Sequence, residues 1–406
     1  MASKPPPPSP AHLLRTHHAP VRVLTFSDDN ERLYSGDADG MVVVTSTRSL
    51  RPTAVWKAHS DGLLGIQEWD GQIITHGRDN KLHVWQRVQE PAAALGNSAI
   101  PLGLQNPQLC YSMDVNALNY CRFSLMPMAE SVLSDERRAL IALPNLVESS
   151  FADIWTLPSQ KRLHAAIGKA GQTEGPSLDG RGVNSTGIIM SMHLYEQTHP
   201  HACGQTSLRL LCAYENGAVT CWGYARTGKE TSIEGIGWDT LWNVRLHVES
   251  AVMAMAVSND NSVALTVSAD HLIGRYDIKL MQDENADAET ACTVHRTKHP
   301  GNASIDIRDD GKMCAVGGWD GKIRLYSTKS VKSLGTLGYH KKSSQAVAFA
   351  RQHAPVLAEN SMTTDKADDL MDEDDKAERA QWLAAGSQDQ RVSLWTLMDF
   401  GGSTTR

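Results

Sequence analysis

The sequence predicts an all-β protein, a seven-bladed β-propeller closed by an N-terminal strand pairing in the last blade. Two observations carry that expectation. A turn followed by an alternating strand recurs seven times, and only nine residues remain behind the last repeat. The composition permits it: 41% of the 406 residues are hydrophobic and 21% charged, enough apolar material for a large buried core.

The repeated blocks read SGDADGMVVVTS, THGRDNKLHVWQ, VESSFADIWTLP, AYENGAVTCWGY, VSADHLIGRYDI, GGWDGKIRLYST and GSQDQRVSLWTL. One column holds the turn residue: Asp39, Asp79, Ser149, Asn216, Asp270, Asp320 and Asp389. Six residues later stand Thr45, Trp85, Trp155, Trp222, Tyr276, Tyr326 and Trp395. Trp and Tyr together make up 19 of 406 residues, so six aromatics in seven such positions are not chance. Asp and Asn with Gly tolerate a tight hairpin turn. The strand that follows alternates, as in Lys322-Ile323-Arg324-Leu325-Tyr326, with its apolar side facing a neighbouring sheet. This is the WD40 pattern.

Along the chain, residues 1–10 read as a Pro-rich disordered arm. Residues 11–398 read as a single propeller and 399–406 as a tail. An apolar strand precedes each block, beginning with VRVLTF and LLGIQEW and ending with AVAFA. The aromatic columns lie 40, 70, 67, 54, 50 and 69 residues apart. The shortest interval is one bare repeat; the longer ones imply insertions, placed near 87–110, 165–184 and 281–299, with an acidic loop at 355–380. The run 365–379 carries a net charge of −5 out of −7 for the whole chain, so the remainder is nearly neutral. That loop reads as solvated, with a basic partner as the sharper alternative. The segment around His12 to Thr16 is expected to supply the outer strand of the last blade, since the tail is too short to do so.

His18, His59, His247 and His340 precede first strands of repeats. A histidine there can hydrogen-bond the turn Asp of its own blade. The second repeat holds the fullest set: His59, Thr75, Asp79 and Trp85. These residue types would also suit a metal or acid–base site. Recurrence once per repeat favours a buried polar network that fixes blade geometry.

Several function classes find no support. The acidic balance, with pI near 6.1, argues against direct nucleic-acid binding. The N-terminal MASKPPPPSP lacks an apolar signal core, and the uncharged stretch from Pro91 to Met113 is too rich in Pro, Asn and Gln for a membrane span. Seven scattered cysteines without a C-x-x-C pair suit a reducing compartment. Gly223 to Glu230 matches G-x-x-x-x-G-K, but Glu230 replaces the Ser or Thr that would hold magnesium, and no helix is expected to follow. Turn acids come one per repeat, so no catalytic carboxylate pair is indicated. The expectation is a protein that is not an enzyme, with no cofactor and no metal. A propeller hydrolase or oxidoreductase would need acids or histidines converging on one point.

Function is therefore expected on the loops. The residues before the turn column include Arg78, Glu215, Trp319 and Gln388. Trp319 reads as a candidate interface anchor, with the other three as a polar rim around it.

The stretches RTHHAPVRVLTF, ERLYSGDADG, AVWKAHSDGLLGI and IITHGRDNKLHVWQ resemble the fungal ASTRA-associated protein 1 family of WD-repeat proteins. So do NALNYCRFS, ALPNLVESSFADIWTLPS, SADHLIGRYD, GKMCAVGGWDGKIRLYS and WLAAGSQDQRVSLW, which extends the resemblance from about residue 10 to 397. THGRDNKLHVW together with LPNLVESSFADIW carries most of its specificity. The resemblance implies a nuclear scaffold subunit of the ASTRA complex, with the cytoplasm as a second compartment. It implies a role in chromatin remodelling and in the maturation of phosphatidylinositol-3-kinase-related kinases. The implied partners are a pseudokinase of that kinase class, a pair of AAA+ ATPases and a co-chaperone trio. It supplies no catalytic residues. A G-protein-β-like or ubiquitin-ligase substrate-receptor adaptor is the alternative. Thr45 in the aromatic column and Ser149 in the Asp column depart from the repeat.

Overall fold

The computed structural model describes residues 8–88, 104–118, 120–128, 137–169, 186–198, 206–226, 228–282, 288–352 and 373–397. Most of the arm, the greater part of the 87–110 and 165–184 insertions, residues 355–372 of the acidic loop and the 399–406 tail lie outside the described residues. Seven four-stranded antiparallel sheets form the blades of a seven-bladed β-propeller.

The chain divides into two compact units, one built on residues up to 111 and from 304 onward, the other on 112–303 together with 76–82. In the first, β1 (His12–Leu14) precedes a sheet of β2 (Val21–Phe26), β3 (Arg32–Asp37), β4 (Met41–Ser46) and β5 (Pro52–Lys57). The second sheet is β6 (Leu63–Trp69), β7 (Gln72–Gly77), β8 (Lys81–Gln86) and β9 (Gln108–Asp114). The other unit holds β10 (Ser124–Pro127), β11 (Ala139–Pro144), β12 (Ala152–Leu157) and β13 (Arg162–Ile167). It continues with β14 (Ile189–Thr198), β15 (Thr206–Tyr214), β16 (Ala218–Tyr224) and β17 (Trp238–Arg245). Its last sheet is β18 (Val252–Val257), β19 (Val263–Ser268), β20 (Leu272–Asp277) and β21 (Cys292–Arg296). The first unit resumes with β22 (Asn302–Ile307), β23 (Met313–Gly318), β24 (Lys322–Ser327) and β25 (Ser333–Gly338), then β26 (Ser344–Phe349), β27 (Trp382–Ser387) and β28 (Val392–Thr396).

Cores lie between neighbouring sheets within each unit. Val21, Leu24, Phe26 and Leu33 pack on Ala346, Ala348, Trp382 and Leu394. Leu211, Val219 and Cys221 pack on Val252, Met255 and Tyr276. The second strands are buried along most of their length on both faces, and two of them run as nearly continuous apolar and small residues, Ala139–Pro144 and Trp382–Ser387. The innermost strands of four sheets share a register shift at their first step: Val21/Val23, Ile189/Ser191, Val252/Ala254 and Ser344/Ala346. A bulge there adds local twist at the strand's entry.

Three insertion boundaries differ from the sequence expectation. The 281–299 stretch contains an outer strand, β21, led in by a short helix α1 (Ala288–Ala291). The 165–184 stretch begins inside β13. The end of the acidic loop is a helix, α2 (Glu373–Arg379), anchored because Arg379 lies over the Trp382 ring and its Nε donates to the Thr47 carbonyl at 3.4 Å.

The N-terminal closure is present. His12, Leu13 and Leu14 pair with Leu394, Ser393 and Val392, and Leu14 packs against the Val21–Trp382 core. Truncating residues 1–14 is expected to lower the unfolding free energy by about 2 kcal/mol, from a few backbone hydrogen bonds and one apolar contact. It also bares the β28 edge. A urea midpoint unchanged by the truncation would show that β1 contributes nothing.

Candidate functional site

Buried histidines organise the turns between second and third strands. His247 Nδ1 meets Asp270 Oδ2 at 2.9 Å and its Nε2 meets Thr266 Oγ1 at 2.9 Å. Asp270 Oδ1 also accepts the Leu272 amide at 2.8 Å. One carboxylate therefore fixes both the histidine and the turn. In the last sheet His340 Nδ1 meets Asp389 Oδ2 at 3.0 Å, and its Nε2 meets Ser393 Oγ at 2.8 Å. Trp395 Nε1 donates to the same Ser393 Oγ at 2.9 Å. An indole N–H only donates and a carboxylate only accepts, so Nδ1 carries the proton toward Asp389. In the second sheet His59 Nε2 and Trp85 Nε1 converge on Thr75 Oγ1 at 2.8 and 2.9 Å. Asp79 stands in the β7–β8 turn.

Each of these histidines is also pinned through its backbone. Gly217 sits at φ +86°, and a Cβ there would lie 1.7 Å from the His247 carbonyl oxygen. Gly321, at φ +78°, meets the His340 carbonyl in the same way. The glycine after the turn residue thus serves two needs, a left-handed backbone and contact with the next sheet.

The first sheet departs from the expected pairing. His17, not His18, is the buried histidine, with Nδ1 2.9 Å from Asp37 Oδ2 and Nε2 2.8 Å from Ser35 Oγ. Asp39 is exposed, and its amide donates to Asp37 Oδ1 at 3.0 Å. Asp37, the last residue of β3, therefore does the work expected of Asp39, which stands two residues on in the turn itself. Burial alone would raise the Asp37 carboxyl; the hydrogen bonds from His17 and from the Met41 and Asp39 amides outweigh it and hold it below the usual range. Thr45 is buried opposite Leu33.

Two sheets use other donors. Asn116 stands in the entry loop of the third sheet; its Nδ2 donates to the Asn145 carbonyl, and its Oδ1 accepts from Ser149 Oγ at 3.1 Å. Asn145 Nδ2 in turn donates to buried Asp153 Oδ1 at 2.9 Å. Ser149 in the Asp column is thereby accommodated. In the sixth sheet Arg324 grips Asp320 with two nitrogens, at 3.2 and 2.6 Å. Burial raises the Asp320 carboxyl, but Arg324 and the Lys322 amide draw it below its usual range. The aromatic column also serves structure: Arg162 lies over the Trp155 ring, Trp222 Nε1 donates to Tyr214 Oη at 3.3 Å, and Tyr326 is buried.

On the rim, Trp319 is 49% exposed at the β23–β24 turn, and Gln388 is exposed at the β27–β28 turn, its amide donating to the Ser343 carbonyl. Arg78 lies 4.9 Å over the Tyr120 ring. The Glu215 side chain packs against Gly187, and its Oε2 accepts the Ile188 amide at 3.4 Å. Sequence reasoning missed the ring beneath Arg78 and three further exposed apolar side chains of the same unit. Tyr120, Leu118, Leu146 and Val147 are all exposed, Val147 at 83%. Asn116 and Asn145 hold those two loops by accepting the amides of Leu118 and Val147. The Asn-x-Leu and Asn-Leu-Val runs are the signal that was available.

In three sheets a histidine and an acid are spent on each other, His17 with Asp37, His247 with Asp270 and His340 with Asp389. What they leave outward is a set of rigidly held loops carrying large aromatic and apolar side chains, the chemistry of protein recognition.

Comparison with known proteins agrees in extent with the sheets. The family model described as ASTRA-associated protein 1 matches residues 10–397. The chain is 35% identical to ASTRA-associated protein 1 of Verticillium alfalfae, covering 96% of this chain and 93% of that one. It is 31% identical to the protein of that name in Pyricularia oryzae, covering 98% and 99%, and 30% identical to that of Aspergillus niger, covering 97% and 98%. With a match that begins before β1 and ends just after β28, this chain belongs to the ASTRA-associated protein 1 family.

Proposed function

We propose that the chain is a non-catalytic scaffold subunit of an ASTRA complex, acting through protein–protein contacts in chromatin remodelling and in the maturation of phosphatidylinositol-3-kinase-related kinases. The observation that carries this reading is the family match across all seven sheets. The internally satisfied histidine–acid sets support it, because they stiffen the loops that carry the exposed rim. A rigid rim loses little conformational freedom on binding, so buried aromatic area converts efficiently into affinity. Trp319 is the anchor we assign. The working compartment is the nucleus, with the cytoplasm second, and the partners are a pseudokinase of that class, a pair of AAA+ ATPases and a co-chaperone trio.

Affinity purification of the tagged chain from its own organism tests this. Those partners are expected to co-purify, and Trp319→Ala is expected to cut recovery of at least one of them about tenfold with the melting temperature unchanged. Recovery of a Gγ-like helix or a cullin adaptor in their place, or exclusion of a fluorescently tagged chain from the nucleus, would overturn the reading.

A further inference from the structure

The fourth sheet carries a cleft that the scaffold reading does not use. β14 and β15 run together out to the pair Thr198 and Thr206, but the β15–β16 ladder stops at Arg209 and Gly223. Beyond that point β16 turns to β17, pairing Tyr224 with Trp238. The strands fork, and a cleft of about 580 Å³ opens between them. On this side, among the described residues, Thr206–Leu208 have no strand partner.

Two arginines line this fork, and glycines seat both. A Cβ on Gly223 would lie 2.1 Å from Arg209 Nη1, so the guanidinium lies flat across β16 only because residue 223 has no side chain. The stem of Arg226 lies over Gly237 in the same manner, 2.7 Å from where a Cβ would stand. Among the described residues neither arginine has an ion pair or hydrogen bond. Ser207 Oγ is buried there and has no hydrogen-bond partner among the described residues. Leu208, Leu241 and Tyr224 give the walls apolar surface, and Asp239 is the one acid in the lining. Two cations against one anion, an open strand edge and a spare hydroxyl together describe the complement of an extended anionic chain.

We propose that the fork between β15 and β16 binds an extended acidic segment of a partner protein, its backbone along Thr206–Leu208 and a carboxylate or phosphate group between Arg209 and Arg226. The apolar walls take the neighbouring side chains of that segment. Asp239 disfavours a second acid deep in the cleft and so sets the register of the first.

Fluorescence anisotropy with the full chain tests this, using labelled peptides of about a dozen residues that alternate valine with glutamate, phosphoserine or glutamine. The glutamate and phosphoserine peptides are expected to bind at least about tenfold more tightly than the glutamine one, and more weakly as salt is raised. Whichever anionic peptide binds more tightly identifies the group seated between the arginines. The double variant Arg209→Gln with Arg226→Gln is expected to erase the preference. Ser207→Glu, which keeps both arginines but places an anion beside them, is expected to block binding if the double variant does not fold. Equal binding of the glutamine peptide, or affinity that survives Ser207→Glu in a folded chain, would overturn the proposal. Because the probes are synthetic, failure here leaves the ASTRA assignment untouched, and the reverse holds too.

Discussion

Replacing Glu68 with alanine is expected to lower the unfolding free energy by about 3–5 kcal/mol, the cost of breaking a buried ion pair from one side. Glu68 stands on β6 and reaches the first sheet. Its Oε2 accepts from Arg32 Nε at 3.2 Å and from Tyr34 Oη; its Oε1 accepts from Arg87 Nη1 at 2.5 Å. The Arg32 side chain is only 10% exposed, and Tyr34 is wholly buried. Burial would by itself lower the Arg32 guanidinium; Glu68 and Asp29 outweigh it and raise it instead. Removing the carboxylate leaves Arg32 with Asp29 and Glu31 at the sheet's end and leaves the Tyr34 hydroxyl without its acceptor. Each orphaned buried group costs about 1–3 kcal/mol, more when charged. Glu68→Gln keeps the shape and an acceptor but loses the charge, and is expected to fall between the two, at about 2 kcal/mol. Lys81 and Asp114 provide the contrast, since both side chains are largely in water. Asp114→Ala is expected to cost under about 1 kcal/mol. Urea titration of the three variants decides it: a loss below about 1 kcal/mol for Glu68→Ala would mean that solvent reaches Arg32.

The architecture was legible because it rests on a local cue repeated seven times. A turn residue and an aromatic six positions on need no long-range information. Polar partnerships were legible only where the histidine, the acid and the hydroxyl all kept their places, as with His247, Asp270 and Thr266. The first sheet offers two histidines and two aspartates side by side, and a column cannot tell which turn position is buried; Asp37 and His17 won. Where asparagine or arginine substitutes, as at Asn116 and Arg324, the residue type gives no warning, since each is common on surfaces. β21 was read into an insertion because it is a short outer strand that follows a long polar run, 282–290. The arginine-lined cleft was beyond reach for a different reason. Arg209 and Arg226 become neighbours only because β15 and β16 separate, and strand divergence leaves no mark on hydrophobic alternation.

Acid should weaken this protein in two separate steps, the first set by His164. Its ring is 4% exposed, packed against Tyr224 and Trp238 with centroids 4.6 and 5.2 Å away, and Nδ1 meets Ser232 Oγ at 2.9 Å. Burial pushes its pKa down from 6.5 to about 4. The folded chain therefore resists a proton that the unfolded chain accepts near 6.5. Stability is intact above that value, falls as pH drops toward 4, and loses about 3 kcal/mol across the interval. Burial lowers His193 as well, which adds to the same slope. The carboxyls of Asp37, Asp310 and Asp320 act in a different window. All are held below 3.8, so their contribution is present above that value and disappears only as pH falls further. His164→Asn separates the steps: its amide can keep the Ser232 contact but does not titrate. Denaturant titrations between pH 7 and pH 4 should show wild type losing about 3 kcal/mol more than the variant. Below pH 4 the two should fall in parallel, because the aspartates are common to both. Curves that already run parallel from pH 7 to pH 4 would mean that His164 takes up its proton in the folded state, with water reaching the ring between Tyr224 and Trp238.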